Sequence, residues 1–394
     1  MDYNPLAPEC KENPYPYYAE LRRDHPVYRI EPGGAYALSR YDDVVYALMH
    51  PEIFSSAGFN AVHIDEQPTT MMIFADPPDH TRLRNLVNRG FTPKMVAELE
   101  PRIRQVTDEL IHRVAQKGEM DLIADLAMPL PVTIIAEILG VDPARKEDFK
   151  RWSDHIVLEF MGQIPEEEHE RFHSDMDDFG TYFREAVEER RGRPKGDLIS
   201  ALVQAEEEKQ ALTAEEVLAF IVLLLVAGNE TTTNLLGNAV IALLNHPEEL
   251  AKVRADSSLV PNMVEEALRY DAPVQFLFRR ATREVEVAGA TIPGGSMVMV
   301  IFGAANRDER RYPNPDRFDV TRDAQGHVAF GHGIHFCLGA PLARVEARIA
   351  LEALFKFDSL ARTGDGKVEL IDSIFLRGPK RLPLTFIPTA WEAK

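Results

Sequence analysis

The stretch over residues 213–246 limits the possible folds of this chain more than any other part of the sequence. Thr213 and Glu216 match a capping box, which predicts the start of a helix. The helical pattern continues for about 32 residues, or about 48 Å. Its first half is hydrophobic on every side, and a helix of this kind has to be buried. The sequence therefore predicts a large, mainly α-helical protein built around one central helix.

Composition agrees with a protein that has a large core. The chain has 394 residues, of which 45% are hydrophobic, and no Gly/Ser-rich linker divides it. This length allows two average domains or one large one, and of these we expect one domain over residues 1–394. The formal net charge of −19 argues against nucleic-acid binding and against binding to anionic membranes, because both need basic surfaces.

Targeting and redox signals are weak in this sequence. The longest apolar run, residues 217–227, has 11 residues, whereas a membrane-spanning helix needs about 20. The first residues show neither the basic segment nor the apolar core of a signal peptide. The two cysteines, Cys10 and Cys337, lie far apart and suggest no disulfide framework. These observations predict a cytoplasmic protein without a membrane anchor.

The middle of the predicted central helix contains residues that form helices poorly. Residues 227–233 read Ala-Gly-Asn-Glu-Thr-Thr-Thr, and Gly228 alone costs about 1 kcal/mol relative to Ala. A buried element that breaks a local rule in this way is typical of a functional site. Gly228 would let a flat ligand approach the helix, and the Thr hydroxyls would supply polar groups. A polar patch that is satisfied by its neighbours is the simpler alternative.

A second candidate site is the loop over residues 330–341, which reads Phe-Gly-His-Gly-Ile-His-Phe-Cys-Leu-Gly-Ala-Pro. Its one thiol lies among three glycines, which permit a tight loop close to a flat ligand. A helix pattern with Pro341 in its first turn follows. Cys337 therefore lies at a helix N-terminus, where the dipole favours the thiolate that binds metals. The simpler interpretation of Cys337 is a small buried apolar residue.

Two pairs of residues carry charge at helical spacing. His80 and Arg84 stand four apart after two prolines, so one helix face can present both side chains to a single anionic group. Glu266 and Arg269 stand three apart, as ordinary salt pairs on helices do.

A third pattern suggests a different chemistry. His169, Glu170 and His173 match the His-Glu-x-x-His spacing of zinc proteases. A catalytic zinc needs a third protein ligand, and the acidic residues on both sides of the motif indicate a solvated helix face. A zinc hydrolase is therefore a minor alternative.

The main motifs together resemble those of the cytochrome P450 family. The run Phe-x-x-Gly-x-His-x-Cys-x-Gly resembles the haem-binding loop, Ala-Gly-x-Glu-Thr resembles the oxygen-activation motif, and Glu-x-x-Arg resembles the structural ion pair of that family. The motifs follow the family order over nearly the whole chain, whose length is similar to that of soluble bacterial members. The resemblance implies a mainly α fold with a long central helix over the haem and a small β-rich region. Its helical parts would lie over residues 76–270 and 340–357, and its β-rich parts over residues 25–40, 274–301 and 367–388.

The resemblance also implies a set of site residues. The cofactor would be haem b, iron protoporphyrin IX, with the Cys337 thiolate as the axial ligand of the iron. Glu230 and Thr231 would be the catalytic acid and alcohol that deliver protons. The residues implied to contact the haem are His80, Arg84, Ala227, Gly228, Arg279, Phe330, His335, Cys337 and Gly339, of which His80, Arg84, Arg279 and His335 would bind the propionates. The implied substrate pocket comprises Leu223, Val226, Ala227, Val274, Phe276, Leu277 and Phe375, and the implied structural residues are Glu266, Arg269 and Arg317.

The implied activity is that of a haem-thiolate monooxygenase. It would insert one oxygen atom of O2 into a hydrophobic small molecule such as a steroid, terpenoid, fatty acid or macrolide. The sequence contains no flavin or nicotinamide fingerprint, so we expect a ferredoxin and its reductase as electron donors. The basic residues expected to dock an acidic ferredoxin are Arg82, Arg89, Arg344 and Arg348.

Two other activities remain possible at this point. A peroxide-driven peroxygenase of the same fold would need no electron donor, but such enzymes usually replace the acid and alcohol pair that is present here. A haem-binding sensor without turnover would have no use for Glu230 and Thr231.

Overall fold

The computed structural model describes residues 3–58, 61–64, 67–161, 164–207, 210–364 and 367–391. Most of these residues are helical, as the sequence predicts. The α-helices, in chain order, are α1 (Pro8–Glu12), α2 (Tyr15–Asp24), α3 (Tyr41–Met49), α4 (Asp79–Gly90), α5 (Pro93–Ala115), α6 (Pro129–Ile138), α7 (Lys146–Met161), α8 (His169–Gly192), α9 (Leu198–Gln204), α10 (Ala214–Asn245), α11 (Pro247–Ala255), α12 (Val260–Tyr270), α13 (Phe302–Ala305) and α14 (Ala340–Leu354).

The strands are short and form small sheets. They are β1 (Val27–Ile30), β2 (Ala35–Leu38), β3 (Phe54–Ser55), β4 (Ala61–Ile64), β5 (Gln67–Thr70), β6 (Glu119–Asp121), β7 (Glu206–Glu207), β8 (Gln210–Ala211), β9 (Phe276–Ala281), β10 (Val285–Val287), β11 (Ala290–Ile292), β12 (Met297–Ile301), β13 (Ala361–Arg362) and β14 (Pro383–Thr385). The largest sheet has the strand order β1-β2-β12-β9-β3.

The chain forms two compact units. The first unit comprises Met1–Ala57, Arg104–Ala127 and Thr231–Lys394, and the second comprises Gly58–Ile103 and Met128–Glu230. The boundary at residue 230 falls inside α10. The single domain expected over residues 1–394 stays a prediction.

The five-stranded sheet belongs to the first unit. Strand-like runs over residues 27–30 and 35–39, separated by Pro32-Gly33-Gly34, predict a hairpin. This hairpin is present as β1 and β2, and β12 lies parallel to β2 and antiparallel to β9. Because successive side chains of a strand point to opposite faces, β12 contributes to two separate hydrophobic clusters. Val298 and Val300 belong to one cluster, whereas Met299 and Ile301 belong to the other. The sheet therefore has a core on each face.

The second unit is helical, apart from two short strand pairs. The sequence predicts four helices between residues 94 and 191, and the structure has α5 to α8 there. Aromatic rings fill the space between α7 and α8, where Trp152 lies edge-on to Phe179 with 5.9 Å between ring centroids. The predicted break over residues 162–165 begins at residues 162 and 163, which lie outside the described residues.

The predicted central helix is present as α10, which has 32 residues. Its capping box is also present, because the Thr213 N–H donates to Glu216 Oε2 at 2.9 Å and the Glu216 N–H donates to Thr213 Oγ1 at 3.2 Å. Helix α10 is long and apolar enough to cross a membrane, but its most apolar 18-residue window is 61% buried within the protein. Burial of that kind is typical of the core helix of a globular protein.

Two local predictions differ from the structure. Residues 54–74 show no period in the sequence, yet they contain β3, the β4–β5 pair and a 3₁₀ turn at Met72–Phe74, with residues 59, 60, 65 and 66 outside the described part. The sequence patterns over residues 374–376 and 384–386 predict that these two segments pair as strands, and this prediction is wrong. Leu384 pairs with Met120 and Leu376 pairs with Val274, because each segment finds its partner far away in the sequence.

Candidate functional site

The loop that carries Cys337 is tightly wound and belongs to the first unit. Gly331 and Gly333 have φ angles of +70° and +66°, which side chains rarely allow. The Cys337 N–H donates to the Phe330 carbonyl oxygen at 2.9 Å, and helix α14 begins three residues later. Cys337 is half-buried. The fold therefore presents a partly accessible sulfur just before the N-terminus of a helix.

Gly333 and Gly339 of this loop have different surroundings. A Cβ atom on Gly333 would lie 2.5 Å from the Leu48 carbonyl oxygen, so this glycine allows the loop to pack against the end of α3. A Cβ atom on Gly339 would lie 3.9 Å from Cys337 Sγ, an ordinary contact distance. Glycine at position 339 therefore leaves the immediate surroundings of the sulfur uncrowded.

The protein side chains that could bind a metal together with Cys337 favour a metal that is already held by a non-protein ligand. Among the residues that the structure describes, no group of three or more His, Cys, Asp and Glu side chains could hold a metal ion. A metal bound by Cys337 would therefore need most of its ligands from elsewhere, as the iron of a haem has. Cys10 is a poor alternative ligand, because it is buried, and this burial with the nearby Glu9 charge raises the pKa of its thiol to about 11.

The zinc motif lacks the features that a metal site needs. His169, Glu170 and His173 lie in the first turns of α8 and are all exposed. Because the described residues offer no third ligand, nothing in the structure favours a zinc hydrolase.

The two candidate arginines on β9 differ in their surroundings. Arg279 is buried, and its Nη1 donates to the Phe278 carbonyl oxygen at 2.7 Å, whereas Arg280 is exposed. Alternation along the strand turns the two side chains to opposite faces. Arg279 is thus the one suited to an internal anionic group. His335 lies in the half-buried turn just before Cys337, within the same unit.

His80 and Arg84 belong to the second unit and lie on one face of α4. His80 is buried. Its desolvation and the nearby Arg84 charge lower the pKa of its imidazole. The spacing of four residues thus brings the two side chains close together, as the sequence predicts. Asp79 is the first residue of the helix, and Pro78, which has no side-chain hydrogen bond to offer, occupies the cap position.

The centre of α10 combines exposed, packed and hydrogen-bonded residues. Ala227 is exposed, although most of the helix before it is buried. A Cβ atom on Gly228 would lie 2.7 Å from Ile135 Cδ1, so this glycine allows α6 to approach. Packing therefore accounts for Gly228 without a ligand. Asn229 Nδ2 donates to Ser153 Oγ at 2.6 Å and joins α10 to α7.

The surroundings of Glu230 favour the protonated form of its carboxyl group. Burial and the nearby Asp154 carboxylate of α7 both raise the pKa of the Glu230 carboxyl group. Asp154 is 43% exposed and accepts a hydrogen bond from Lys150 at 2.7 Å. Sequence reasoning missed Asp154, because no motif marks it and it lies 76 residues before Glu230. Thr231, which follows Glu230, is half-buried in the first unit.

The residues expected to line a substrate pocket do not behave alike. Val274 and Leu277 pack, partly buried, against one hydrophobic cluster of the sheet, whereas Phe276 is part of the opposite cluster. Phe276 packs edge-on to Phe278 with 5.5 Å between ring centroids. Phe276 is therefore a core residue in this structure, because strand alternation turns it away from the face of Leu277. Phe375 also packs against the cluster of Phe276, while Leu223 and Val226 are buried within α10.

The Glu266–Arg269 pair forms the centre of a buried network. Arg269 Nε and Nη2 donate to the two Glu266 oxygens at 2.7 and 2.8 Å, and both side chains are 0% exposed. The third side chain of the network is Arg322, whose Nε donates to Glu266 Oε1 at 3.2 Å. The prediction of Arg317 in that role is wrong. Its side chain is 64% exposed, and only its carbonyl oxygen accepts a bond from Arg269, at 3.4 Å.

Comparison with known proteins identifies the family of this chain. A family model described as cytochrome P450 matches residues 4–386. Vitamin D(3) 25-hydroxylase of Pseudonocardia autotrophica is 41% identical over 389 residues, which cover 96% of this chain and 94% of the relative.

Solved structures give the same answer. Cytochrome P450 CYP109Q5 from Chondromyces apiculatus superposes with a TM-score of 0.91 at 44% identity and covers 99% of both chains. CYP109E1 from Bacillus megaterium in complex with testosterone superposes with a TM-score of 0.86 at 39% identity, covering 95% of this chain and 99% of the other. The family implies a haem-thiolate cofactor, a redox partner and a hydrophobic substrate. This chain therefore belongs to the cytochrome P450 family of oxidoreductases, and its fold is that of a bacterial P450 monooxygenase.

Proposed function

We propose that this protein is a haem-thiolate monooxygenase that binds haem b through Cys337 and hydroxylates an apolar small molecule. The observation that carries the proposal is the loop around Cys337, which places a half-buried cysteine just before α14, with no cluster of metal-binding side chains among the described residues. The N–H of Cys337 donates to the Phe330 carbonyl oxygen, which fixes the backbone at the cysteine.

The residues proposed to bind the haem carboxylates are basic side chains in sheltered places. Arg279 is buried on the inner side of β9, and His80 is buried next to Arg84 on α4. His335 precedes the cysteine by two residues. Charge-assisted hydrogen bonds from these four side chains would neutralise two propionates in a partly dry environment.

Bound haem supplies the iron chemistry that activates O2. The protein delivers the protons that this chemistry needs. Because burial and the Asp154 charge raise the pKa of Glu230, its carboxyl group keeps a proton to higher pH than an ordinary glutamic acid. The proposed route takes a proton from solvent at the half-exposed Asp154, passes it to a carboxyl oxygen of Glu230 and then to the neighbouring Thr231 hydroxyl.

The proposed substrate is hydrophobic and of the size of a steroid, terpenoid, fatty acid or macrolide. One relative is named for its action on vitamin D(3), and one solved neighbour contains testosterone. The apolar residues Leu223, Val226, Ala227, Val274, Leu277 and Phe375 stay our candidates for the pocket wall. Phe276 does not, because it packs in the core of the sheet.

The proposed electron donors are a ferredoxin and its reductase, in the cytoplasm. Among the four basic residues expected to dock the ferredoxin, Arg344 pairs with Glu265, Arg348 pairs with Glu352 at 3.3 Å, and Arg82 pairs with Glu216. These three arginines are therefore weaker docking candidates than the sequence alone indicates. Arg89, whose side chain is exposed, stays a candidate.

The experiment that tests the proposal starts with the purified protein expressed with a haem supply. We expect the reduced protein to form, with carbon monoxide, the long-wavelength Soret band of thiolate-ligated haem. Turnover of a steroid panel with ferredoxin, reductase and NAD(P)H should exceed turnover with hydrogen peroxide. A protein without haem would contradict the proposal, whereas faster turnover with peroxide would indicate the peroxygenase, and bound haem without any turnover would indicate a sensor.

A further inference from the structure

Glu265, the residue before the structural Glu266, forms a second network in the first unit, in which Glu265 and His327 are buried and Arg344 is half-buried. Arg344 Nε and Nη2 donate to its two carboxylate oxygens at 2.6 and 2.9 Å. His327 Nε2 lies 3.1 Å from Glu265 Oε2. The Ala329 N–H donates to His327 Nδ1 at 3.2 Å, so the ring proton must be on Nε2, which donates to Glu265. The carboxylate therefore has a donor at every one of these contacts.

This network is joined to the loop that carries Cys337. The guanidinium carbon of Arg344 lies 4.5 Å from the centroid of the Phe330 ring, a cation–π distance. The Phe330 carbonyl oxygen accepts the N–H of Cys337 at 2.9 Å. His327 and Phe330 thus mark the two ends of one short segment, and α12 holds both ends through a single carboxylate. The last carbonyl of that segment sets the position of the Cys337 amide.

The charges of the network balance each other. Burial opposes ionisation of Glu265, but hydrogen bonds from Arg344 and His327 outweigh it and lower the pKa of this carboxyl group to about 2. The carboxylate and the guanidinium are therefore both ionised throughout the range in which the protein would work. Removing either partner would leave one uncompensated charge beside Phe330, and the sign of that charge would depend on which partner is removed.

We propose that Glu265, His327 and Arg344 are positioning residues that hold the Cys337 loop and keep the charge beside it balanced, and so set the reduction potential of the bound haem. This inference rests on the proposed function, because it concerns a metal ligated by Cys337. It also assigns Arg344 an internal role in place of the docking role that the sequence suggests. His327 has the smaller part, since it fixes the carboxylate without changing its charge.

The test compares Glu265→Gln, Arg344→Gln and the double variant in the haem-loaded protein, by titration of the reduction potential. After Glu265→Gln the remaining cation favours the reduced haem, and after Arg344→Gln the remaining anion disfavours it. We expect the ratio of reduced to oxidised haem at a fixed potential to rise about threefold in the first variant and to fall about threefold in the second. The double variant should return close to the wild-type ratio.

Opposite shifts are the result that a merely structural role would not produce. If both single variants shift in the same direction, or if neither shifts, the charge-balancing role is overturned. Arg348→Gln is the matched control, because Arg348 lies one turn further along α14 and pairs with Glu352. It should leave the potential unchanged. Arg344→Lys keeps the cation without the paired hydrogen bonds, and a potential displaced as far as in Arg344→Gln would contradict the inference.

Hydrogen exchange at the Cys337 amide supplies a measurement that needs no haem. We expect faster exchange in Glu265→Gln and Arg344→Gln, because the Phe330 carbonyl oxygen is then held less firmly. Unchanged exchange in both variants would overturn the positioning role. A wild-type protein that binds no haem would instead overturn the proposed function, and the exchange result would still decide whether this network holds the loop.

Discussion

The charged residues of α12 and those at the centre of α10 are used in opposite ways. On α12, Glu265 and Glu266 each meet two cationic or donor side chains. At the centre of α10, Glu230 is sheltered next to another carboxylate, and Asn229 Oδ1 is buried without a hydrogen-bond partner among the described residues. The first arrangement fixes ionised groups in one geometry, and the second raises the pKa of a carboxyl group, which therefore keeps its proton to higher pH. Substitutions should therefore affect stability in the first region and pH dependence in the second.

The largest expected effect is at Cys337. Cys337→Ser should abolish the long-wavelength Soret band of the carbon monoxide complex and lower turnover by more than about a thousandfold, because the thiolate ligand is lost. The ferrous spectrum and single-substrate turnover check this expectation. Cys10→Ser is the matched control and should keep the band, since Cys10 is a buried thiol of the N-terminal cluster. Loss of the band in Cys10→Ser alone would reverse our assignment.

The second-largest expected effect is on stability, at the buried pair of Glu266 and Arg269 on α12. Arg269→Ala should lower the free energy of unfolding by about 3–5 kcal/mol, because it leaves the Glu266 carboxylate buried without its main partner. Urea denaturation followed by circular dichroism measures the change. Arg317→Ala removes a side chain that is 64% exposed and should cost less than about 0.5 kcal/mol. Equal costs at the two positions would contradict the network as the structure shows it.

Glu346 on α14 is an exception that sharpens the comparison. It is buried in the first unit, its Oε1 has no hydrogen-bond partner among the described residues, and burial raises the pKa of its carboxyl group to about 8. The folded protein therefore binds this proton more tightly than the unfolded chain. The resulting stability is fully present below about pH 4.5 and is lost as the pH rises to 8. Glu346→Gln should remove this pH-dependent loss in the free energy of unfolding, which is on the order of 3 kcal/mol. Parallel pH profiles of wild type and variant, from urea denaturation at each pH, would contradict this expectation.

The smallest expected effect is at the centre of α10. Asp154→Asn should lower the pKa of Glu230, because it removes a neighbouring negative charge, while stability should change by less than about 0.5 kcal/mol at this half-exposed position. Lys150→Met should shift the pKa of Glu230 upward, because Asp154 then loses its cation. The infrared carbonyl band of protonated Glu230, followed with pH and identified by its loss in Glu230→Gln, measures both shifts. Shifts of the same sign would show that Asp154 does not act through its charge.

The sequence predicts those features that depend on short-range patterns. The capping box at Thr213, the hairpin of β1 and β2, and the approach of His80 to Arg84 each depend on residues a few positions apart, and all three are present. The fold class follows from the helical patterns along the chain and from the resemblance of the motifs to the cytochrome P450 family. The roles of individual site residues stay predictions, although the structure separates buried Arg279 from exposed Arg280.

Features that depend on distant segments were not accessible from the sequence. Arg322 takes the place that we predicted for Arg317, since a turn in the chain at residues 313–319 decides which arginine points inward. Asp154 lies near Glu230 because a hydrogen bond between Ser153 and Asn229 links α7 to α10 at this point. Phe276 is turned into the core by strand alternation, whose phase the apolar run over residues 274–278 does not reveal.

The large sheet has a consequence for how the chain is made. Strand β2 pairs with β12, and more than 250 residues lie between them in the sequence. During synthesis on the ribosome, β2 has an unpaired edge until β12 is made, which is after all the helices up to α12. An open edge of this kind invites pairing with other nascent chains. We expect products truncated before residue 297 to aggregate through that hairpin, and chaperones that shield it to raise the yield of the complete enzyme.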